Sequence, residues 1–235
     1  LVQDTASNLV GFMQMLIPLL ITLMAYTGSI TTSTLLEPII LFLVNFVGNI
    51  IQTLIIPLVL VFTSLIIISD QIHVDKLAKF LKSGIVWFLG IVLTLFVGIV
   101  SLEGTLSSSV DGITAKTTKA VVSSAIPVVG KILGDAVDTV LGCGIILKNA
   151  VGIIGVIIII GICILPILKL AILTISYKLI AVATQSISDS KITNLLDEIG
   201  DIFKIFLGIL CAISFMLIIG TALVVKMSNG AMMYR

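Results

Sequence analysis

The sequence is poor in the residues that most enzymes and metalloproteins use. Its 235 residues include a single histidine, His73, and three cysteines that lie far apart in apolar surroundings. One histidine excludes multi-histidine metal sites and most acid–base schemes, and three dispersed cysteines provide neither a disulfide framework nor a metal-ligand spacing. No set of nucleophile, base and orienting group can be assembled. We therefore predict that the chain is not an enzyme and that it holds no metal and no cofactor.

Charge is scarce as well. Only 11% of the residues are charged, whereas soluble domains contain about 25%. The net charge is +1, so nothing indicates a nucleic acid as partner. Hydrophobic residues make up 59% of the chain. This composition predicts an all-α polytopic membrane protein, because helices satisfy their own backbone hydrogen bonds inside the lipid bilayer.

Five apolar segments contain the candidate membrane crossings: 8–28, 35–68, 84–102, 151–184 and 202–225. A helix of about 20 residues crosses a ~30 Å hydrocarbon core, so segments 35–68 and 151–184 are longer than one crossing needs. Segment 35–68 is either one long tilted or broken helix or a tight hairpin at Gly48-Asn49. We expect about 6–8 membrane-spanning or re-entrant helices in total.

The second half of the sequence repeats the order of the first. Pro18 and Pro127 are 109 positions apart, and so are Pro57 and Pro166, with similar apolar residues around each proline. These four prolines are predicted helix breaks. We predict two tandem structural repeats, 1–104 and 105–235, of which the second carries a polar helix at 128–149.

Two charged loops bear on the topology of these repeats. Segment 70–83 carries Lys76, Lys79 and Lys82, whereas segment 185–201 is net acidic. If each repeat crosses three times, the repeats are inverted and the two loops lie on opposite sides; if each crosses four times, the repeats are parallel. The charge difference favours inversion, with the lysine-rich loop in the cytoplasm.

The polar stretch 111–149 stands out in this apolar chain. If it is helical after Pro127, then Lys131, Asp135, Asp138 and Asn149 fall close to one stripe. The functional interpretation is a polar lining for a conduit or a proton-sensitive gate. The structural alternatives are a buried ion pair that sets helix register and a helix in the headgroup region.

Four further positions accompany this stripe. Lys148, next to Asn149, either belongs to the same conduit or ends the segment at an interface by snorkelling. Lys169 follows Pro166 by three residues, where freed backbone carbonyls can meet an ammonium group. Gly130 and Gly134 form a G-x-x-x-G pattern, which favours close helix packing. The conduit or gating candidates are therefore Lys131, Asp135, Asp138, Lys148, Asn149 and Lys169.

A series of residues in the second half is typical of one known family: Asp111-Gly112, Lys119, 126–130, Asp135, 138–141, 147–149, Gly152, Pro166 and Lys169. With them the chain resembles the stage III sporulation protein AE family of endospore-forming bacteria. The resemblance covers essentially the whole chain. Family members are longer at the amino terminus, so we expect this sequence to lack an upstream segment.

The resemblance implies a multi-pass protein of the mother-cell membrane around the forespore. The family belongs to a secretion-like channel complex, whose other members include ring-forming membrane proteins and a cytoplasmic ATPase. We therefore expect a subunit that forms or gates a transmembrane conduit, assembling with these partners or with itself as a homo-oligomer. The alternatives are a secondary transporter, as a proton-coupled permease, and a passive membrane scaffold.

Overall fold

The computed structural model describes residues 1–27, 29–72, 80, 82–102, 129–185 and 190–227, with 67–72, 129–138 and 227 described by their backbone alone. The described residues form six α-helices: α1 Val2–Tyr26, α2 Ile30–Ile50, α3 Ile56–Ile72, α4 Lys82–Leu102, α5 Val129–Thr184 and α6 Ser190–Met227. They contain no strand. The all-α class predicted from composition is confirmed for this part of the chain.

Five helical segments are long and apolar enough to cross a membrane, counted over the residues just given. Four are single helices, and the fifth, Ile30–Ile66, joins α2 to α3. A multi-pass membrane protein is therefore supported. The larger number of six to eight crossings, and the tandem repeats 1–104 and 105–235, stay predictions.

The long apolar segment 35–68 is a continuous helix with one π-helical turn. α2 passes through Gly48 and Asn49, and the π turn occupies Ile51–Ile55 before α3 begins. The Ile56 N–H donates to the Ile51 carbonyl, five residues back. This wider turn directly precedes Pro57, whose ring crowds the carbonyl four residues before it. The hairpin alternative is wrong, and the interrupted long helix is confirmed.

The other predicted helix breaks do not end helices. Pro18 lies inside α1, and Pro166 lies inside α5. A proline removes one backbone hydrogen bond, which helices in membranes tolerate when neighbouring groups compensate. Pro127 lies outside the described residues. The prolines therefore mark interruptions in hydrogen bonding rather than the boundaries of crossings.

The chain folds into two compact units, each built from several helices. Unit 1 consists of Leu1–Val10, Asn45–Leu95 and Ile160–Met216, and unit 2 of Gly11–Val44, Phe96–Ile159 and Leu217–Arg235. Each unit has its own buried apolar residues, such as Phe62 and Ile209 in unit 1 and Met13 and Phe96 in unit 2.

Small and polar side chains set the helix spacing in unit 1. A Cβ atom added to Gly48 would lie 2.7 Å from Val10 Cγ2, so glycine lets α1 and α2 approach closely. In the hairpin of α5 and α6, Ser214 Oγ lies 2.8 Å from Cys163 Sγ and donates to the Leu210 carbonyl. Buried hydroxyls of this kind satisfy their own hydrogen bonds within the helix.

Unit 1 also corrects the predicted topology. Lys82, at the start of α4, forms an ion pair with Asp201, near the start of α6. One residue comes from the lysine-rich segment and the other from the acidic segment, so both segments reach the same end of unit 1. The inverted arrangement, which put them on opposite sides, is therefore wrong. A parallel repeat stays a prediction.

The shared end can be tested by chemical cross-linking. In a chain whose native cysteines are replaced by alanine, we expect Lys82→Cys and Asp201→Cys to be joined by a short bifunctional thiol reagent. The cross-link would be detected as two fragments that stay together after cleavage between α4 and α6. Either single cysteine serves as the control. Selective labelling of the two positions from opposite sides of the membrane would contradict the contact.

Candidate functional site

The most deeply buried charged side chain described is that of Lys148, in unit 2. Lys148 is 0% exposed, and its Nζ donates to the Val225 carbonyl at 2.8 Å. Val225 is two residues before Met227, the last described residue of α6. Lys148 therefore connects α5 to a backbone carbonyl of α6.

Glycines on α5 make this contact possible. Gly144, Gly152 and Gly155 share one face of α5 with Lys148, at steps of four, four and three residues from 144 to 155. A Cβ atom on Gly152 would lie 2.2 Å from Val225 Cγ2, and one on Gly155 would lie 2.6 Å from Leu16 Cδ2. α5 consequently packs tightly against both α1 and α6 within unit 2.

Unit 2 contains other buried polar side chains besides Lys148. They lie in the connection between α1 and α2, in the first turn of α2 and in α6: Thr27, Ser29, Thr32, Ser33 and Thr221. Asn149 Oδ1 is buried and has no hydrogen-bond partner among the described residues. A buried amide oxygen of this kind offers a hydrogen bond to water or to a solute. Lys148, Asn149 and the Val225 carbonyl are called the polar junction below.

The polar junction revises one prediction about Lys148. α5 continues past Lys148 and Asn149 to Thr184, and the lysine side chain is buried rather than extended to an interface. The snorkelling interpretation is therefore wrong. The use of both residues as conduit or gating candidates stays a prediction, now attached to a defined contact.

The charged stripe that the sequence emphasised lies in the first turns of α5. The backbone of Lys131, Asp135 and Asp138 is helical, as are Gly130 and Gly134. Their side chains lie outside the described part of the chain. Their predicted roles in lining and packing stay predictions.

Comparison with known proteins places the chain in a family. The sequence model of the "Stage III sporulation protein AE" family matches residues 1–228. The chain belongs to this family. It is also 33% identical over 235 residues to the stage III sporulation protein AE of Bacillus subtilis (strain 168), in an alignment that covers 99% of this chain and 59% of that relative. The chain thus spans less than two thirds of the relative's length. No solved structure is significantly similar to it.

Membership in the stage III sporulation protein AE family confirms the resemblance seen in the sequence. It makes the chain a sporulation membrane protein from a family that is not known as one of enzymes. No group of three histidine, cysteine, aspartate or glutamate side chains that can hold a metal occurs among the described residues.

This family member has a second polar cluster, in unit 1, that the sequence did not reveal. Lys178 Nζ lies 2.7 Å from Asp197 Oδ1 and 2.8 Å from Asp201 Oδ1, and Asp201 also pairs with Lys82. Segment 185–201 was interpreted as a loop, whereas α6 begins at Ser190. The i, i+4 spacing of the two aspartates on a helix was the signal that could have located this cluster.

The last predicted site residue, Lys169, is separate from both clusters. Its side chain is exposed on α5 in unit 1. It has no ion pair or hydrogen bond with the described residues of this family member. The structure therefore gives no internal role to Lys169, in contrast to Lys148 and Lys178.

Proposed function

We propose that this chain is an integral membrane subunit of the secretion-like complex that connects mother cell and forespore during sporulation, and that its polar junction gates a transmembrane conduit. Family membership supports the sporulation role, and the five candidate spans support the membrane location. The observation that carries the gating role is the complete burial of Lys148 against the end of α6.

Energetics favour a function for Lys148 over a purely structural role. Inserting a lysine at the centre of a membrane helix costs roughly 2.5–3.5 kcal/mol. Buried ionic groups can often be replaced by apolar residues of similar size with no loss of stability. A methionine would fill the same space between α5 and α6 without the cost of burying a charge. The ammonium group is therefore expected to serve something other than packing.

The geometry indicates how the junction can change state. The contact runs from a side chain on α5 to a backbone carbonyl in the last turn of α6, so a small shift of that turn breaks it. The released ammonium group would then attract water or a polar solute, and Asn149 Oδ1 on the same turn of α5 offers a further hydrogen-bond acceptor. An element with two discrete arrangements of this kind is what a gate requires.

The sequence extends this proposal toward the start of α5. Lys131, Asp135 and Asp138 share a stripe with Asn149, and we propose that they continue the polar lining. Gly130 and Gly134 are proposed to let another helix approach that part of α5. From family membership we propose that the assembly partners are the other membrane proteins of the complex and its cytoplasmic ATPase. The chain itself would lie in the mother-cell membrane around the forespore.

Replacing Lys148 tests the gate. Lys148→Met keeps the side-chain length and removes the charge, so we expect normal accumulation in the membrane and normal assembly. Because the gate then lacks its ammonium group, we expect spore yield to fall by about tenfold or more. The measurement is spore titre and forespore reporter expression in cells in which the variant replaces the native gene.

Lys226→Met is the matched control, because Lys226 is an exposed lysine on α6, next to the Val225 that Lys148 contacts. It should sporulate normally. Wild-type sporulation by Lys148→Met, with assembly intact, would leave the scaffold alternative. Proton-coupled uptake by the purified chain in vesicles, lost on replacing Asp135 and Asp138 by asparagine, would favour the transporter.

A further inference from the structure

Two asparagines and a threonine lie on the outside of the long helix that α2, the π turn and α3 form. Asn45, Asn49 and Thr53 all belong to unit 1 and are exposed, and the Thr53 hydroxyl donates to Asn49 Oδ1 at 3.0 Å. Steps of four residues drift by about 40° each around an α-helix. The π turn at Ile51–Ile55 holds more residues per turn, which keeps Thr53 beside Asn49. These three residues are called the amide stripe below.

The amide stripe lies near the middle of a candidate membrane span. That span, Ile30–Ile66, has 37 residues, whereas about 20 residues cross the hydrocarbon core. Every run of that length within 30–66 includes position 49, so Asn49 lies inside the core wherever the span is placed. Lipid tails offer its amide no hydrogen bond, and an unpaired polar group is strongly unfavourable in hydrocarbon. The amide stripe therefore requires a cover other than lipid.

The amide stripe is too short to line a water-filled path. From Asn45 to Thr53 it extends ~12 Å at a rise of 1.5 Å per residue, whereas the hydrocarbon core is ~30 Å thick. Exposed apolar side chains border it and follow it along the helix: Phe46, Leu54, Leu60 and Val61. A short polar patch framed in this way is typical of a helix interface in a membrane, where amides hydrogen-bond to another helix. The cover is therefore a helix.

The chemistry of the amide stripe selects a second copy of this chain. The stripe is uncharged, so nothing in it requires a partner of opposite charge. A carboxamide has two N–H donors and an oxygen with two lone pairs, so two identical amides can satisfy each other. The Thr53 hydroxyl uses one lone pair of Asn49 Oδ1, and the Asn49 amino group has no partner among the described residues. One donor and one acceptor site of Asn49 are thus left for the same group of another copy.

Symmetry permits this contact. Two copies that are inserted in the membrane in the same orientation are related by a twofold axis along the membrane normal, and such an interface brings the same surface of both copies together. Asn49 of one copy then meets Asn49 of the other at the same depth. A single asparagine in an apolar helix interface is known to fix the register and the number of helices.

We propose that two copies of this chain associate through the amide stripe, with Asn49 of each copy hydrogen-bonded to Asn49 of the other. This association assigns a role to the Gly48-Asn49 pair that a turn does not explain, because Gly48 packs against Val10 while Asn49 faces outward. It involves no residue of the polar junction, so it goes beyond the gate at Lys148 and does not depend on it.

Thiol cross-linking in the full chain tests the pairing. In a chain whose native cysteines are replaced by alanine, a cysteine is placed at Asn45 or at Thr53, one turn to either side of Asn49. The control is Leu54→Cys, since Leu54 is exposed at a similar depth but lines a cavity with Trp87 of α4. Membranes from sporulating cells are treated with a short, membrane-permeable bifunctional thiol reagent. We expect Asn45→Cys and Thr53→Cys to give an adduct of two copies at several times the yield of Leu54→Cys.

Two substitutions of Asn49 test whether its amide holds the two copies together. Combined with Thr53→Cys, Asn49→Leu removes the amide from both copies and should lower the adduct yield about tenfold. Asn49→Gln keeps a carboxamide and should retain the adduct. The yield is expressed per amount of chain in the membrane, so a change in accumulation does not enter the comparison.

Three results would overturn the pairing. The first is the absence of a two-copy adduct from both stripe positions, including the case in which they react with a different protein instead. The second is an equal yield from Leu54→Cys. The third is a two-copy adduct whose yield does not respond to Asn49→Leu. None of these results would affect the test of Lys148, because that test reports on sporulation with the amide stripe unaltered.

Discussion

Gly152→Leu is expected to lower the free energy of unfolding by about 3 kcal/mol, the upper part of the range for overpacking a filled interior. A Cβ atom at this position would already lie 2.2 Å from Val225 Cγ2, and leucine adds three more carbons. α5 and α6 must therefore separate in unit 2. Because the Val225 carbonyl accepts from Lys148, the same displacement also removes a hydrogen bond to a buried ammonium group.

Gly142→Leu is the matched control, since Gly142 is on the same helix and has no atom within 4 Å of an added Cβ. Equilibrium unfolding of the purified chain in mixed micelles measures both variants, and we expect Gly142→Leu to remain within about 0.5 kcal/mol of wild type, as for substitutions that create no clash. Equal losses in the two variants would mean that leucine is unfavourable in α5 wherever it is placed, and would contradict close packing at Gly152.

The sequence was informative about elements and less so about their interruptions. Apolar run length located the carboxyl ends of the five candidate spans to within two residues, because burial in lipid requires nearly continuous apolar sequence. The last two spans begin earlier than predicted, at 139 instead of 151 and at 190 instead of 202. One of the two interpretations of segment 35–68 places a hairpin turn at Gly48-Asn49. In the structure Gly48 lies inside α2. Its missing Cβ serves the close approach of Val10 instead. A glycine that enables packing and a glycine that enables a turn look alike in sequence.

The predicted inverted topology fails because it treats the charges of the two segments as independent. Three lysines in one segment and several acids in another suggested opposite sides of a membrane. In the structure Lys82 and Asp201 neutralise each other. Opposite net charge is equally the signature of two segments in contact, and the positive-inside tendency does not separate the two cases.

The candidate site shows what sequence patterns contain and what they omit. Lys148 and Asn149 were identified from the sequence because polar residues in an apolar run are unusual. The partner of Lys148 is a backbone carbonyl at Val225, and a carbonyl acceptor has no signature in the side-chain sequence. The full burial of Lys148 also depends on Gly152 facing α6, which only the packing of both helices determines.

Asp201→Asn is expected to destabilise unit 1 by about 2 kcal/mol, since hydrogen bonds to charged groups contribute ~1.5–3 kcal/mol. Asp201 contacts Lys178 from α5 and Lys82 from α4, so it connects three helices through one carboxylate. Its side chain is 22% exposed, which limits screening by water. Asparagine keeps an acceptor oxygen but removes the negative charge that Lys82 and Lys178 share.

Asp197→Asn provides the matched control for Asp201. Among the described residues of this cluster Asp197 pairs with Lys178 alone, and its side chain is 52% exposed, so its loss should cost only ~0.2–1 kcal/mol. Unfolding is measured at low salt and at 1 M salt, where the screening length is ~3 Å. Salt should weaken wild type and Asp197→Asn more than Asp201→Asn, because the latter has already lost the central ion pairs. Equal stability of the two variants would contradict a linking role for Asp201 and would reduce the cluster to independent surface pairs.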